Sequence, residues 1–259
     1  MGVAIFFLCF LLMILVYDLQ LRLFYFLDPK NSLSMFSRMQ RVVFNRFLTL
    51  ARTYTGFEVI RESKLKTLPR QFLLVSNHQS LIDIPILACA FPHHPVRFVA
   101  KKELKWGLPA FSFALRKGNY ALVDRKGDFK TSLRQLRKLA GTARHGICPA
   151  VFPEGTRSRT GKVGFFHSAA VRAILEKADL PVLSVAVDGG YRIAGLKEMI
   201  RNLRGGYYRV KILSLYPAVR KREKIIALLG KAQEEIARQT EEWKREWMSK
   251  NIGGKKQRS

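Results

Sequence analysis

The chain opens on an unbroken apolar run, Gly2 to Tyr17, and stays weakly polar from Leu19 to Leu27. A membrane span usually needs about 17–25 residues, so residues 1–27 read as a membrane-anchor helix. A signal peptide would want a basic leading region and a small-residue cleavage site, and neither is visible. Myristoylation would want Ser or Thr where Phe6 stands. Further on, Phe36, Met39, Val43, Phe47, Leu50 and Tyr54 recur on one helical stripe, with Arg38, Arg41 and Arg52 opposite. Residues 28–60 therefore read as an amphipathic helical segment, lying at a lipid interface or packed on the domain core.

From residue 61 to 259 short apolar runs alternate with helical periodicity. Strands are predicted at Phe72–Val75, Val96–Ala100, Asn119–Val123, Ile147–Phe152, Val182–Val187 and Tyr207–Leu215. Between them come helices over Ser80–Ala90, Phe129–Ala143 and Phe166–Lys177, and a segment from Lys101 to Leu115. A final helix over Arg222–Met248 carries Ile225, Leu229, Ala232, Ile236, Trp243 and Trp247 on one side. Strands alternating with helices predict a single α/β domain, its central sheet largely parallel and flanked by helices.

Charge narrows the partners. Forty-six Lys and Arg face 19 Asp and Glu, a formal net charge of +27, and residues 1–27 contribute only Asp18 and Arg22. Such an excess calls for an anionic partner: a lipid surface, a phosphorylated substrate or nucleic acid. Basic residues following the anchor predict a cell-membrane protein whose body faces the cytoplasm. Cys9, Cys89 and Cys148 are widely spaced, without metal-ligand spacing, which suits a reducing compartment. Among aromatic residues next to basic ones, Tyr207-Tyr208-Arg209 is the one hint of nucleic-acid binding.

Two stretches concentrate chemistry. His78 falls at a strand-to-helix turn, with Asp83 five positions on. Five helical positions turn through about 500°, so the two side chains meet only if His78 precedes the helix and folds back on its first turn. Asp83 then orients a general base, or it is simply the capping acid of the helix and His78 a turn histidine. The second stretch, Phe152-Pro-Glu-Gly-Thr-Arg-Ser-Arg159, offers a close backbone approach, two hydroxyls and two guanidinium forks for phosphate. It is no nucleotide P-loop: Gly155 to Gly161-Lys162 is one residue too long, and Val163 follows the lysine.

Together, in this order, these stretches resemble the 1-acylglycerol-3-phosphate acyltransferases, also called lysophosphatidic acid acyltransferases. Asn77-His-Gln-Ser-Leu-Ile-Asp83 is similar to the family's His-x4-Asp block and Gly118-Asn-Tyr-Ala-Leu-Val-Asp-Arg125 to its second. Phe152-Pro-Glu-Gly-Thr-Arg-Ser158 matches the third, and Leu180-Pro-Val-Leu-Ser-Val185 resembles the fourth. The chain departs from the family at Phe166-His-Ser-Ala169, where Phe-Lys-x-Gly is frequent, at Ala121-Leu122 and at Ser184.

The resemblance implies that His78 is the base, oriented by Asp83, and that Lys101, Arg125, Glu154, Gly155, Thr156 and Arg157 bind the acceptor phosphate. Leu180 and Pro181 would shape the acyl-donor side. It implies a membrane-bound enzyme making phosphatidic acid from lysophosphatidic acid, without metal, cofactor or covalent intermediate. Acyl-CoA or acyl carrier protein would be the co-substrate and anionic phospholipid the surface, with no specific nucleic acid. Related acceptors are glycerol 3-phosphate, dihydroxyacetone phosphate, other lysophospholipids and lyso-ornithine lipid. A non-catalytic basic scaffold on membrane or nucleic acid is the remaining alternative.

Overall fold

The computed structural model describes residues 1–124 and 127–256. Its first two elements, α1 (Gly2–Leu27) and α2 (Ser32–Thr55), form an antiparallel hairpin. Phe6 and Phe10 pack on Phe47 at one end, and Leu21 lies in one apolar cluster with Phe36 at the other. On its outer side α1 exposes Leu8, Leu11, Leu12, Leu15, Val16, Leu19 and Leu23. Among the described residues it is the one helix long and apolar enough to cross a membrane. Of the α2 stripe Phe36 is buried, Met39, Val43, Phe47 and Leu50 are half-buried and Tyr54 is exposed; Phe44 and Ala51 beside it are buried, while Arg38, Arg41, Arg46 and Arg52 stay exposed.

The body is built on seven strands: β1 (Glu58–Ser63), β2 (Leu73–Ser76), β3 (Val96–Lys101), β4 (Ala121–Val123), β5 (Cys148–Val151), β6 (Val182–Asp188) and β7 (Tyr207–Tyr216). Their order is β1-β7-β6-β2-β5-β3-β4, and every pair is parallel except β6 with β7. The six remaining helices are α3 (Asp83–Ala90), α4 (Phe111–Lys117), α5 (Phe129–Gly141), α6 (Ala169–Leu175), α7 (Leu196–Asn202) and α8 (Arg222–Lys256).

Because successive strand residues point to opposite faces, the central strands feed two separate cores. Leu73 and Val75 join Val182 and Ala186 beneath α5, α6 and α8. Leu74, Leu183, Val185 and Val187 join Tyr208 and Val210 beneath α3 and the ends of the N-terminal hairpin. All four residues of β2 are buried, as expected of a parallel strand covered on both faces.

The alternation of elements and the largely parallel sheet are as the sequence leads one to expect. Two elements escaped it. β1 is polar and almost wholly exposed, so it carries no period-2 signal; pairing with β7 alone makes it a strand. α7 is short, with none of its residues buried. The Lys101–Leu115 segment divides at Gly107-Leu-Pro109 into a 3-10 turn, Lys102–Lys105, and α4. At α8 the apolar side is buried from Ile225 to Trp243, but Trp247 is 39% exposed.

Candidate active site

Parallel strands bring their carboxyl ends to one edge of the sheet, where α/β proteins place their ligands. β2 ends there at Ser76, and Asn77 and Gln79, on either side of His78, are pinned to β6. The Asn77 amide donates to the Val187 carbonyl and accepts its N–H, both at 2.9 Å, completing the ladder where β2 has stopped. Gln79 donates to the same carbonyl at 3.2 Å.

Held in this way, His78 faces the first turn of α3. Its Nδ1 lies 2.7 Å from Asp83 Oδ2, as the 500° separation requires of a histidine placed before the helix. The same oxygen accepts the backbone N–H groups of Gln79 and Ser80 at 2.6 and 2.9 Å. Asp83, the first residue of α3, therefore orients the imidazole and braces the turn that precedes the helix, while the N-cap position, Ile82, carries no side-chain cap. With Nδ1–H committed to the carboxylate, Nε2 is the proton acceptor, and among the described residues it has no hydrogen-bond partner. The imidazole stacks on Phe152 at 4.0 Å between centroids, and Phe152 stacks on Phe98. The ring is thus fixed in plane as well as in tautomer.

Backbone contacts tie the two motif loops together. The His78 N–H donates to Glu154 Oε1 at 2.8 Å, and the His78 carbonyl accepts from the Ser158 N–H at 2.7 Å. The second Glu154 oxygen accepts the Gly164 N–H at 2.8 Å. Glu154 is buried with both oxygens engaged by the backbone, so it braces the loop rather than facing an acceptor. Burial pushes its carboxyl up from the ordinary value, opposed by those two amides and by His78. Gly155 takes φ +68°, the left-handed conformation that lets the loop reverse after β5.

Beyond that reversal Thr156 and Arg157 are exposed, and Arg157 makes no ion pair among the described residues. Lys101 is exposed at the carboxyl end of β3, two strands from β2 along the sheet. Arg125 lies outside the described residues. Leu180 and Pro181 sit elsewhere: Pro181 accepts from Leu73 at the start of β2, and Leu180 is buried in the α5–α6–α8 core. Leu73 is five residues before His78, roughly 16 Å of extended chain. Leu180 and Pro181 thus stand at the start of a core strand, away from the His78–Asp83 pair.

Three contributors to the site were not anticipated. Tyr208, on β7, is completely buried and donates its hydroxyl to Asp83 Oδ1 at 2.7 Å. A tyrosine so placed is unavailable to stack on a base, whereas its neighbours Tyr207 and Arg209 are half-buried. Gly190, just after β6, lies so close to the pair that a Cβ there would stand 2.7 Å from Asp83 Oδ1. Asp188, at the end of β6, is paired with Arg192 at 3.4 Å, and burial raises its carboxyl. Neither Tyr208 nor Gly190 has a local signature, since each acts across more than a hundred residues of sequence. Among the described residues no group of three or more His, Cys, Asp or Glu side chains is clustered to hold a metal ion.

A fixed imidazole with an open Nε2, on a buried carboxylate at the carboxyl edge of an α/β sheet, is an arrangement able to accept a proton beside loops that carry exposed cations. The chain belongs to the acyltransferase family, whose model matches residues 54–188. It is 33% identical over 161 residues to a probable 1-acyl-sn-glycerol-3-phosphate acyltransferase of Mycoplasma genitalium, covering 58% of this chain and 55% of that one. To the 1-acyl-sn-glycerol-3-phosphate acyltransferase of Pseudomonas aeruginosa it is 34% identical over 119 residues, covering 46% and 44%. The chain spans about half the length of the curated relatives it matches. Among solved structures, the 1-acyl-sn-glycerophosphate acyltransferase PlsC of Thermotoga maritima superposes with a TM-score of 0.62 at 25% identity, covering 90% of this chain and 95% of that one.

Proposed function

We propose that this chain transfers a fatty acyl group from acyl-CoA or acyl carrier protein to the free hydroxyl of 1-acylglycerol 3-phosphate, giving phosphatidic acid. The observation that carries this is the His78–Asp83 pair, with Nδ1 held at 2.7 Å and Nε2 open. Nε2 takes the hydroxyl proton as the oxygen attacks the thioester carbonyl; the carbon–sulfur bond breaks and the thiolate leaves with the proton. General-base assistance of this kind contributes typically 10²–10⁴-fold, and no acyl-enzyme is needed. Arg157, exposed and without an ion pair among the described residues, binds the acceptor phosphate with Lys101, Thr156 and Arg125, while Glu154 and Gly155 hold the loop in shape.

The hairpin sets this site against lipid. α1 presents an apolar side, yet the exposed arginines of α2 run beside it. Drawing each of them to the bilayer centre would cost about 2.5–3.5 kcal/mol. The pair therefore lies in the interface, with α1 toward the acyl chains and the arginines among anionic headgroups, leaving the body on the cytoplasmic side.

The test is thiol release from acyl-CoA and from acyl carrier protein by membranes containing the chain, with lysophosphatidic acid as acceptor, beside His78→Ala at matched membrane content. Release that depends on the acceptor and is lost in the variant is the expected result. Release with glycerol 3-phosphate, another lysophospholipid or lyso-ornithine lipid instead would move the acceptor within the family. No release with any of them would refute the activity.

A further inference from the structure

We propose that Tyr208 is a positioning residue of the site, a third member behind the His78–Asp83 pair that sets the aim of the imidazole; this rests on the activity proposed above. Asp83 is fully buried, and its oxygens divide their work. Oδ2 takes the His78 ring nitrogen and two backbone N–H groups, whereas Oδ1 takes a single side-chain donor, the Tyr208 hydroxyl at 2.7 Å. Gly190 also approaches Oδ1 closely, since a Cβ there would fall at 2.7 Å. The carboxylate is thus gripped on one side by its own turn and on the other by a strand more than a hundred residues away.

Tyr208 is itself locked. It belongs to β7, whose neighbours are β6 and β1, and its ring is enclosed in the core beneath α3. The next residue, Arg209, fastens β7 to α8 through Glu246 at 2.6 Å and the Trp243 ring at 5.5 Å. The position of α8 is thereby transmitted through β7 to the general base.

The consequence follows from the carboxylate's geometry. A phenol O–H on Oδ1 holds the carboxylate from the side away from the imidazole, so the hydroxyl fixes the direction in which Oδ2 meets Nδ1. The other charged groups around the pair are Glu154 from the loop after β5 and Asp188 with Arg192 from the end of β6. Tyr208→Phe leaves those groups in place and deletes one oxygen from an otherwise filled site.

The experiment compares wild type, Tyr208→Phe, Asp83→Asn and the double variant in membranes, with Tyr216→Phe as control. Tyr216 is on the same strand, with its hydroxyl on Glu235 far from the site. Two readouts are taken: thiol release against pH, and the pH dependence of diethyl pyrocarbonate modification at His78, followed peptide by peptide. The second needs no substrate. Tyr208→Phe is expected to lower kcat about 10-fold with KM for both substrates within about twofold, since a net hydrogen bond is of that order. The acid limb and the modification midpoint should both move in Tyr208→Phe and stay in place in Tyr216→Phe. In the Asp83→Asn background the tyrosine substitution should cost nothing further, because contacting residues are not additive.

Wild-type kcat and an unmoved midpoint in Tyr208→Phe, with Tyr216→Phe unchanged, would overturn the proposal. A full additional loss in the double variant would overturn it too. A shifted midpoint in a wild-type chain that releases no thiol would keep Tyr208 in this role and refute the substrate assignment instead.

Discussion

Replacing Gly190 with alanine should damage both catalysis and stability, although it adds one methyl group. The Cβ would stand 2.7 Å from Asp83 Oδ1, 3.0 Å from Gln79 Cβ and 3.2 Å from Ser80 Cβ, so the closest contact is about 0.7 Å short of ordinary packing. None of these atoms ends a flexible side chain: Asp83 is fully buried with its oxygens hydrogen-bonded, and Gln79 and Ser80 are held by their own backbone bonds to it. Overpacking of this kind costs about 1–3 kcal/mol. If the strain is relieved by moving Asp83, His78 turns with it, and a misplacement approaching 1 Å costs about 10²-fold. Gly190→Ala should therefore unfold at lower urea and lose about 10- to 100-fold in acceptor-dependent thiol release. Gly230→Ala is the matched control. Gly230 lies inside α8 with open space around its Cα, so alanine there should stabilise by about 0.5–1 kcal/mol and leave turnover unchanged. Wild-type turnover in Gly190→Ala would refute the claim that close approach at this glycine sets the pair.

Other perturbations separate bracing from binding. Glu154→Gln can no longer accept both backbone N–H groups through carboxylate oxygens, so it should lose about 1–3 kcal/mol by urea unfolding. Because burial raises the folded-state value of Glu154, folding takes up protons there: its contribution to stability is fullest at acid pH and lost as pH rises through the raised value. Stability measured against pH should therefore fall less steeply above the ordinary carboxylate range in Glu154→Gln than in wild type. Arg157→Ala should raise KM for the phosphorylated acceptor at least 10-fold with the fold unaltered, as expected for an exposed cation; an unchanged KM would exclude it from phosphate binding. Arg97 is 1% exposed and donates to the Gly118 carbonyl, Gln40 and Ser37 beside the Tyr120 ring, joining α2 to the sheet. Arg97→Met should cost about 2–3 kcal/mol in urea and open the hairpin to proteolysis.

Much of the architecture was legible because its signals are local. The two central core strands read as short apolar runs, and the α8 stripe from Ile225 to Trp243 repeats with helical period, so burial follows from spacing alone. The His78–Asp83 pair was legible for the same reason: five residues that end a strand and open a helix must fold back on themselves. That locality also explains the two readings of Asp83, since bracing the turn before a helix and orienting the preceding histidine draw on one oxygen.

What the sequence determined by itself was therefore the alternation of strands and helices, the apolar hairpin with its arginines, and the chemistry of two loops. Tertiary structure decided which groups meet across the sheet. It placed Glu154 inward as a brace though its neighbours suggested a ligand, and Leu180 and Pro181 at the far end of β6. It also brought Tyr208 and Gly190 onto Asp83. Those contacts arise because β6 and β7 run antiparallel beside β2, returning the start of one strand and the end of another to the same edge. No periodicity records such a meeting, since it depends on strand order and register rather than on neighbours in the chain.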